Sequence, residues 1–469
     1  MTDTTDAAAI IDALKDKANA ILGSALGSTP LQSFAIGSLG NFYYNWQDTS
    51  DVTKFNPLTY DWIIANLKAK AMPLQLDVTS FTNLYLEVLP DISWSLSTAD
   101  QATLAKDGEN ATQQAAALQN AWLAAYKAFP TGAGEPIDLI TGQIATTWAS
   151  PATDLPTMQI SLNLRKLLNK MPASGAPILP VLTNWLNALS TGLSLQNSVS
   201  INNAYLSRAL DAAQKPTATN GGLALSDGTV QPAYQVANQV ADIQNALASG
   251  PTISSTMTVS VSSDSEFKVS VDGSTDFDIP VADFLDISVG GSASYFSDHI
   301  MKNSTSTTVT MSFPGVNLVN FGPVPFQMTG ASSSWFSIDP VRHAVANGSH
   351  DVSGFKFSVD PAIVFSEAGP FGYVMGVAIS GYPTIVITTT TSDYASIQKT
   401  FEQNVTSEVS FLGISLASAS ESTYSNSVKV DEKTSTVTIT IAPPQDLVSG
   451  TVNSAQAWVL GVQPNYPAA

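Results

Sequence analysis

The chain has 469 residues, of which 12% are charged, and a formal net charge of −19. So acidic a chain, without basic clusters, holds neither a phosphate backbone nor an anionic bilayer by charge, so no nucleic-acid partner is expected. It contains no cysteine, which excludes disulfides and thiolate chemistry outright.

The amino terminus, Met1-Thr2-Asp3-Thr4-Thr5-Asp6, is acidic and lacks the basic and apolar regions of an export signal. The expectation is a protein that is cytoplasmic before release or exported by a route independent of such a signal. Thr5 or Asp6 can cap a helix whose Ile10, Ile11, Leu14, Ala18, Ile21 and Leu22 follow helical spacing, stopped by Gly27-Ser28-Thr29-Pro30. Phe42, Tyr43, Tyr44 and Trp46 then cluster, as interface or ligand-stacking aromatics would. Residues 81–89 suit either a helix or a strand. The clearest helix runs from Ala99 to Phe129, with Leu118, Trp122 and Tyr126 on its buried stripe. Further helices fit Gln159–Met171, Pro180–Leu195, Val199–Gln214 and Pro232–Ser249.

At Gly250-Pro251 the composition changes. Before it Ala and Gln recur at helical spacing; after it Ser, Thr and Val alternate with a period of two. The expected class is therefore α+β: a mainly helical domain over 1–250 and an antiparallel β-rich domain over 251–469. Within the second, Phe284-Leu285-Asp286-Ile287-Ser288-Val289 is echoed by Phe411-Leu412-Gly413-Ile414-Ser415-Leu416. Each copy leads to a second alternating run, at Thr305–Met311 and Thr434–Ile439. This predicts two similar Ser/Thr-rich hairpins, at about 284–313 and 411–441. Tyr373–Thr388 is the longest apolar run, too short for a spanning helix and interrupted by Gly and Pro.

Strands with one aliphatic and one hydroxyl face serve either as the skin of a sheet or as the wall of a barrel in lipid. The second use predicts a toxin-like, membrane-perforating oligomer without enzymatic activity. Ile287, Val289, Val309, Met311, Ile414, Leu416, Val437 and Ile439 would then face lipid, and the partners would be membrane lipid or a cell-surface receptor, with other copies of the chain. The alternative is a non-enzymatic binding or assembly protein, such as an adhesin, a lectin-like module or a shell component.

No resident cofactor is expected. Asp272, Asp276 and Asp278 surround a glycine turn and form a candidate Ca2+ site, although the regular calcium-loop spacing is absent. Together with Asp264, Glu266, Asp283 and Asp286 in the same short span, these carboxylates could instead act as a protonation sensor. The three histidines, His299, His343 and His350, lack metal-ligand spacing. No nucleophile elbow, phosphate loop or zinc-protease motif occurs.

Overall fold

A computed structural model describes residues 5–27, 29–32, 41–43, 81–148, 176–217, 222–224, 228, 230–232, 234–236, 238–274, 276–323, 335–366, 369, 371–416, 423–443 and 456–468. In chain order its first half holds α1 (Thr5–Leu26), β1 (Asn41–Tyr43), α2 (Phe81–Val88), β2 (Ile92–Ser95), α3 (Thr98–Tyr126), α4 (Pro136–Trp148) and α5 (Leu179–Gln214). Three short strands follow, β3 (Gly222–Ala224), β4 (Val230–Pro232) and β5 (Tyr234–Val236), then α6 (Val240–Ser249). Next come β6 (Ile253–Ser263), β7 (Glu266–Val271), β8 (Phe277–Pro280), the single turn α7 (Val281–Phe284), β9 (Leu285–Val289), β10 (Ser304–Phe313) and β11 (Asn317–Pro323). The remainder is α8 (Asp339–Asn347), β12 (Gly354–Phe357), β13 (Tyr373–Ser380), β14 (Thr384–Thr391), α9 (Tyr394–Gln403), β15 (Thr406–Phe411), β16 (Ile414–Ser415), β17 (Thr423–Asp431), β18 (Thr436–Ala442) and β19 (Gln456–Asn465). The class is α+β, with helices in the amino-terminal part and a curled antiparallel sheet in the carboxyl-terminal part.

Composition changes at 250, but compactness divides the chain elsewhere. One unit joins 1–89, 209–338 and 361–469; the other joins 90–208 and 339–360.

The smaller unit is a helical core with a two-stranded ribbon. Leu118 and Trp122 of α3 pack with Ile140 and Ile144 of α4 and with Leu182, Trp185 and Leu186 of α5. Ser97 caps α3 by accepting the Asp100 amide at 3.1 Å, and Lys127 ends it in the left-handed conformation. The sequence predicts two helices over 180–214; the structure has one of 36 residues. No Pro interrupts that stretch after Pro180, and at Gly192 a side chain would crowd Leu104 of α3. Hence Gly192 is a contact point rather than a stop. β2 pairs with β12, Ile92 opposite Phe357.

In the larger unit two antiparallel sheets share chain. The smaller has the order β1-β19-β13-β11-β5. The larger runs β9-β15-β17-β18-β14-β10-β6-β7-β8, with β16 folded back beside β15. β10 continues into β11 and β13 into β14, so two ribbons pass from one sheet to the other. They are tied at the crossing by the Gly381 amide, which donates to the Pro314 carbonyl at 2.7 Å. Gly315 sits at this crossing with φ +67°, and a Cβ there would collide with the Leu247 carbonyl, so both conformation and space require glycine.

The sequence explains the curl of the large sheet. Eight antiparallel steps separate β9 from β8, so the two end strands run in the same direction. A flat sheet would hold them about 38 Å apart, at roughly 4.8 Å per step. Yet only four residues, Val281–Phe284, join them, and such a link reaches about 17 Å at most. The sheet must therefore roll until its two ends meet. Phe267 of β7, Phe284 of α7, Phe296 and Phe411 of β15 fill the junction, with ring centroids 5.8–6.3 Å apart across three of the contacts. The expected hairpins at 284–313 and 411–441 do not form. β9 pairs with β15, Ile287 opposite Val409, while β10 lies between β6 and β14. The hairpin that does form here is β17–β18, over 423–442. Pairing follows the roll of the whole sheet rather than nearness in sequence.

Candidate functional site

Alternation places two chemically different faces on the large sheet. The inner face carries Met257, Val259, Val269, Val309, Met311, Ile385, Ile387, Val437 and Ile439, all buried. Of the eight residues predicted to face lipid, seven (Ile287, Val289, Val309, Met311, Leu416, Val437 and Ile439) have 2% exposure or less. The eighth, Ile414, lies on β16. One buried polar pair joins this face, Thr307 and Thr389, whose hydroxyls meet at 2.9 Å. Tyr424 points its hydroxyl inward without a partner, and burial pushes its ionisation upward, so it remains a neutral phenol.

The outer face is a grid of hydroxyls. Register aligns Ser270, Thr258, Thr308, Thr388, Thr438 and Lys429 in one row across six strands. The next row runs Thr256, Thr310, Val386, Thr440 and Ser427. These side chains are exposed or half-buried. Neighbouring hydroxyls touch at the edges of the grid, Thr256 with Thr310 at 3.1 Å and Ser254 with Ser312 at 2.8 Å. Charged side chains on the described outer face lie toward its two ends, Glu266, Lys268 and Asp278 on β7 and β8 and Glu408, Lys429 and Asp431 on β15 and β17.

Where the sheet's ends meet lies a cavity of about 330 Å³, lined by Ser265, Pro280, Val281, Leu285, Asp286, Ser294 and Ser297. Ser265 comes from the β6–β7 turn, whose carbonyl accepts the Val281 amide at 2.9 Å. Ser294 is held in the left-handed region at φ +55°, just before a π-helical turn over Phe296–Met301. Strained residues and π-turns both concentrate at functional sites. Asp286 alternates with the buried Leu285 and Ile287, so it is half-buried on the opposite face of β9. Its carboxylate makes no hydrogen bond or ion pair with a described residue. The sequence places Asp286 in an acidic span but does not bring it together with Ser265, Ser294 and Ser297. The site's signal was the interruption of the strand pattern between β8 and β9, which looks like an ordinary break until the sheet order is known.

The candidate calcium site is a different structure. Asp272 takes φ +51° in its turn and is claimed by the protein itself. The Lys17 ammonium of α1 lies 2.7 Å from one oxygen, the Ser255 hydroxyl donates to the same oxygen at 2.9 Å, and the Thr256 amide donates to the other at 2.9 Å. Lys17 also donates to the Ser254 carbonyl. Lysine thus stands where a cation would. Asp276 and Asp278 remain on the exposed side, and no three potential ligands come together among the described residues.

Burial alone would raise the Asp272 pKa, but the hydrogen bonds from Lys17, Thr256 and Ser255 and the charge of Lys17 hold it below the ordinary carboxylate value. Mild acid therefore leaves Asp272 charged, contrary to its use as a sensor at such pH. The folded pKa is depressed, so the stabilisation is complete above the unfolded carboxylate pKa. It is lost as pH falls through the folded value. Asp272→Asn should lower the urea midpoint at pH 7, and the gap from wild type should close only below about pH 4. Urea titrations of both proteins across that range test this.

The aromatic cluster is only partly placed: Phe42 and Tyr43 lie on β1, paired with β19, while Tyr44 and Trp46 fall outside the described residues. His299 stacks on Tyr295 at 4.5 Å, and the His350 ring bonds the Asn347 carbonyl at 2.9 Å. No described helix is long and apolar enough to cross a membrane. No family model matches the chain, and no curated protein or solved structure is significantly similar to it.

Proposed function

We propose that this is a non-enzymatic binding protein that applies the hydroxyl grid of its curled sheet to a hydroxyl-rich surface such as an insoluble polysaccharide. One observation carries the reading: the aliphatic sides of the strands are used up inside the sheet, leaving an ordered hydroxyl face outside whose central strands β6, β10, β14 and β18 present no charged side chain. Each hydroxyl there is both donor and acceptor, and rows spaced by the sheet repeat can meet a repeating partner many times. Single exchanges of water for partner are worth little, so affinity would come from number and register.

A second reading, the membrane-perforating oligomer, is favoured by one feature. The β17–β18 hairpin alternates throughout, and the helix packed on it, α9, buries Ile397 and Phe401. Its strands have nine and seven residues, against the roughly 9–11 of a tilted membrane strand. β10, in contrast, is paired on both edges, and releasing Val309 and Met311 would break two ladders.

One experiment weighs both. The protein is sedimented with cellulose or chitin and, in parallel, mixed with dye-loaded vesicles at neutral pH and pH 5. The expected result is co-sedimentation without dye release, reduced at least about tenfold in Thr308→Glu/Thr388→Glu, which sets like charges on neighbouring strands. Dye release without co-sedimentation would replace the first reading with the second. Loss of neither binding nor solubility in the double variant would overturn the grid as the contact surface.

A further inference from the structure

The cavity at the junction of the sheet ends has a chemistry narrower than the grid's. Ser265, Ser294, Ser297 and the Asp286 carboxylate line it with Pro280, Val281 and Leu285, and no cationic or aromatic side chain is among the described lining. The Ser297 hydroxyl donates to the Ser294 carbonyl at 3.0 Å, and the Ser265 hydroxyl meets that of Ser263 at 3.3 Å. Asp286 can only accept hydrogen bonds when ionised, and it has no partner among the described residues. An anionic ligand would be repelled by that carboxylate with no countercharge on the lining. An apolar ligand would strand the carboxylate and the hydroxyls away from water, at a cost of about 1–3 kcal/mol for each group left unmade. A ligand that fits must donate to Asp286 and to the Ser297 oxygen, whose proton is already used, and can exchange hydrogen bonds with the Ser294 hydroxyl. A polyol does this, and a vicinal diol can give one carboxylate two hydrogen bonds at once. The volume of about 330 Å³ is at the small end of ligand pockets, which suits one ring rather than a chain. Without an aromatic platform, recognition would rest on hydroxyl pattern.

The geometry points to a site for a single neutral sugar ring, with Asp286 accepting two of its hydroxyls and the serines reading the others. This deepens the surface-binding reading and rests on it, since a terminal ring held at the junction would anchor a chain lying on the grid.

The test is saturation-transfer NMR on the full chain with glucose, galactose, mannose and N-acetylglucosamine. N-acetylneuraminic acid, ethylamine and Ca2+ serve as comparison probes. At least one neutral sugar should receive saturation, and Asp286→Asn should weaken it at least about tenfold. The half-buried, isosteric change should leave the melting curve in place, and Ser294→Ala supplies a second variant should it not. No transfer to any neutral sugar would overturn the site, as would binding untouched by both variants or tighter binding of ethylamine or Ca2+ than of every sugar. Failures are separable. Polysaccharide binding lost in the Thr308/Thr388 variant but kept in Asp286→Asn keeps the grid and removes the pocket. Sugar binding lost only in Asp286→Asn, with no polysaccharide sedimented, removes the grid and keeps the pocket.

Discussion

Val309→Asp should unfold the large sheet, whereas Thr308→Asp, one residue earlier, should cost about 1 kcal/mol or less. Val309 is fully buried between Met257 of β6 and Ile387 of β14. A carboxylate there is left with no cation or polar partner in an aliphatic layer, a penalty of several kcal/mol in effect. That is comparable with the whole stability of a domain, about 5–15 kcal/mol. Thr308 lies between Thr258 and Thr388 on the outer face, where a charged side chain reaches water. Its cost is the lower strand preference of Asp and the loss of one branched side chain. Far-ultraviolet circular dichroism and urea midpoints separate the two outcomes. Equal effects would mean that the two faces are not chemically distinct, and the assignment of an inner and an outer side would fall.

That contrast is the part of the fold legible in the sequence. A period of two fixes which side chains share a face, because it is local: Thr308 and Thr310 must differ from Val309 and Met311 whatever the neighbours are. It does not choose between the inside of a sheet and the lipid side of a barrel, which present the same aliphatic chemistry. Nor does it choose partners. The similarity between 284–289 and 411–416 does not carry over to pairing: β9 lies along Ser407–Phe411, so only Phe411 of the second stretch joins that ladder, while Ile414 and Ser415 fold back on β15. Two stretches alike in one dimension thus enter different pairings, which spacing alone does not reveal. Pro232–Ser249 read as one helix for a related reason. Tyr234–Val236 is drawn into the small sheet against Phe321–Pro323, and the helix begins only at Val240. Tertiary pairing overrides local spacing there. The seam cavity was invisible for the strongest version of this reason, since Ser265, Asp286 and Ser294 meet only because the sheet closes on itself.

Phe284→Ala should cost about 3–5 kcal/mol and should loosen one place in the sheet before the others. Phe284 is fully buried on the four-residue turn joining the end strands. Its ring meets Phe267 edge-on at 6.1 Å, Phe296 at 6.0 Å and Phe411 at 6.3 Å. Phe267 belongs to β7, near one end of the sheet, and Phe411 to β15, near the other, so this side chain bridges strands that share no ladder. Its removal leaves a cavity lined by three rings that hydrogen bonding along the strands cannot close. The middle of the sheet, β18-β14-β10-β6, keeps paired neighbours on both sides of each strand. Hydrogen exchange should therefore quicken first at the amides of β8 and β9, with β10 and β14 following only at the global unfolding free energy. Uniform acceleration across all nine strands would mean that the sheet opens as a single unit, and that the junction is not held by these rings. Faster exchange confined to the ends would identify the aromatic bridge as what keeps the roll closed. The seam cavity would then depend on Phe284 for its shape, although Phe284 does not line it.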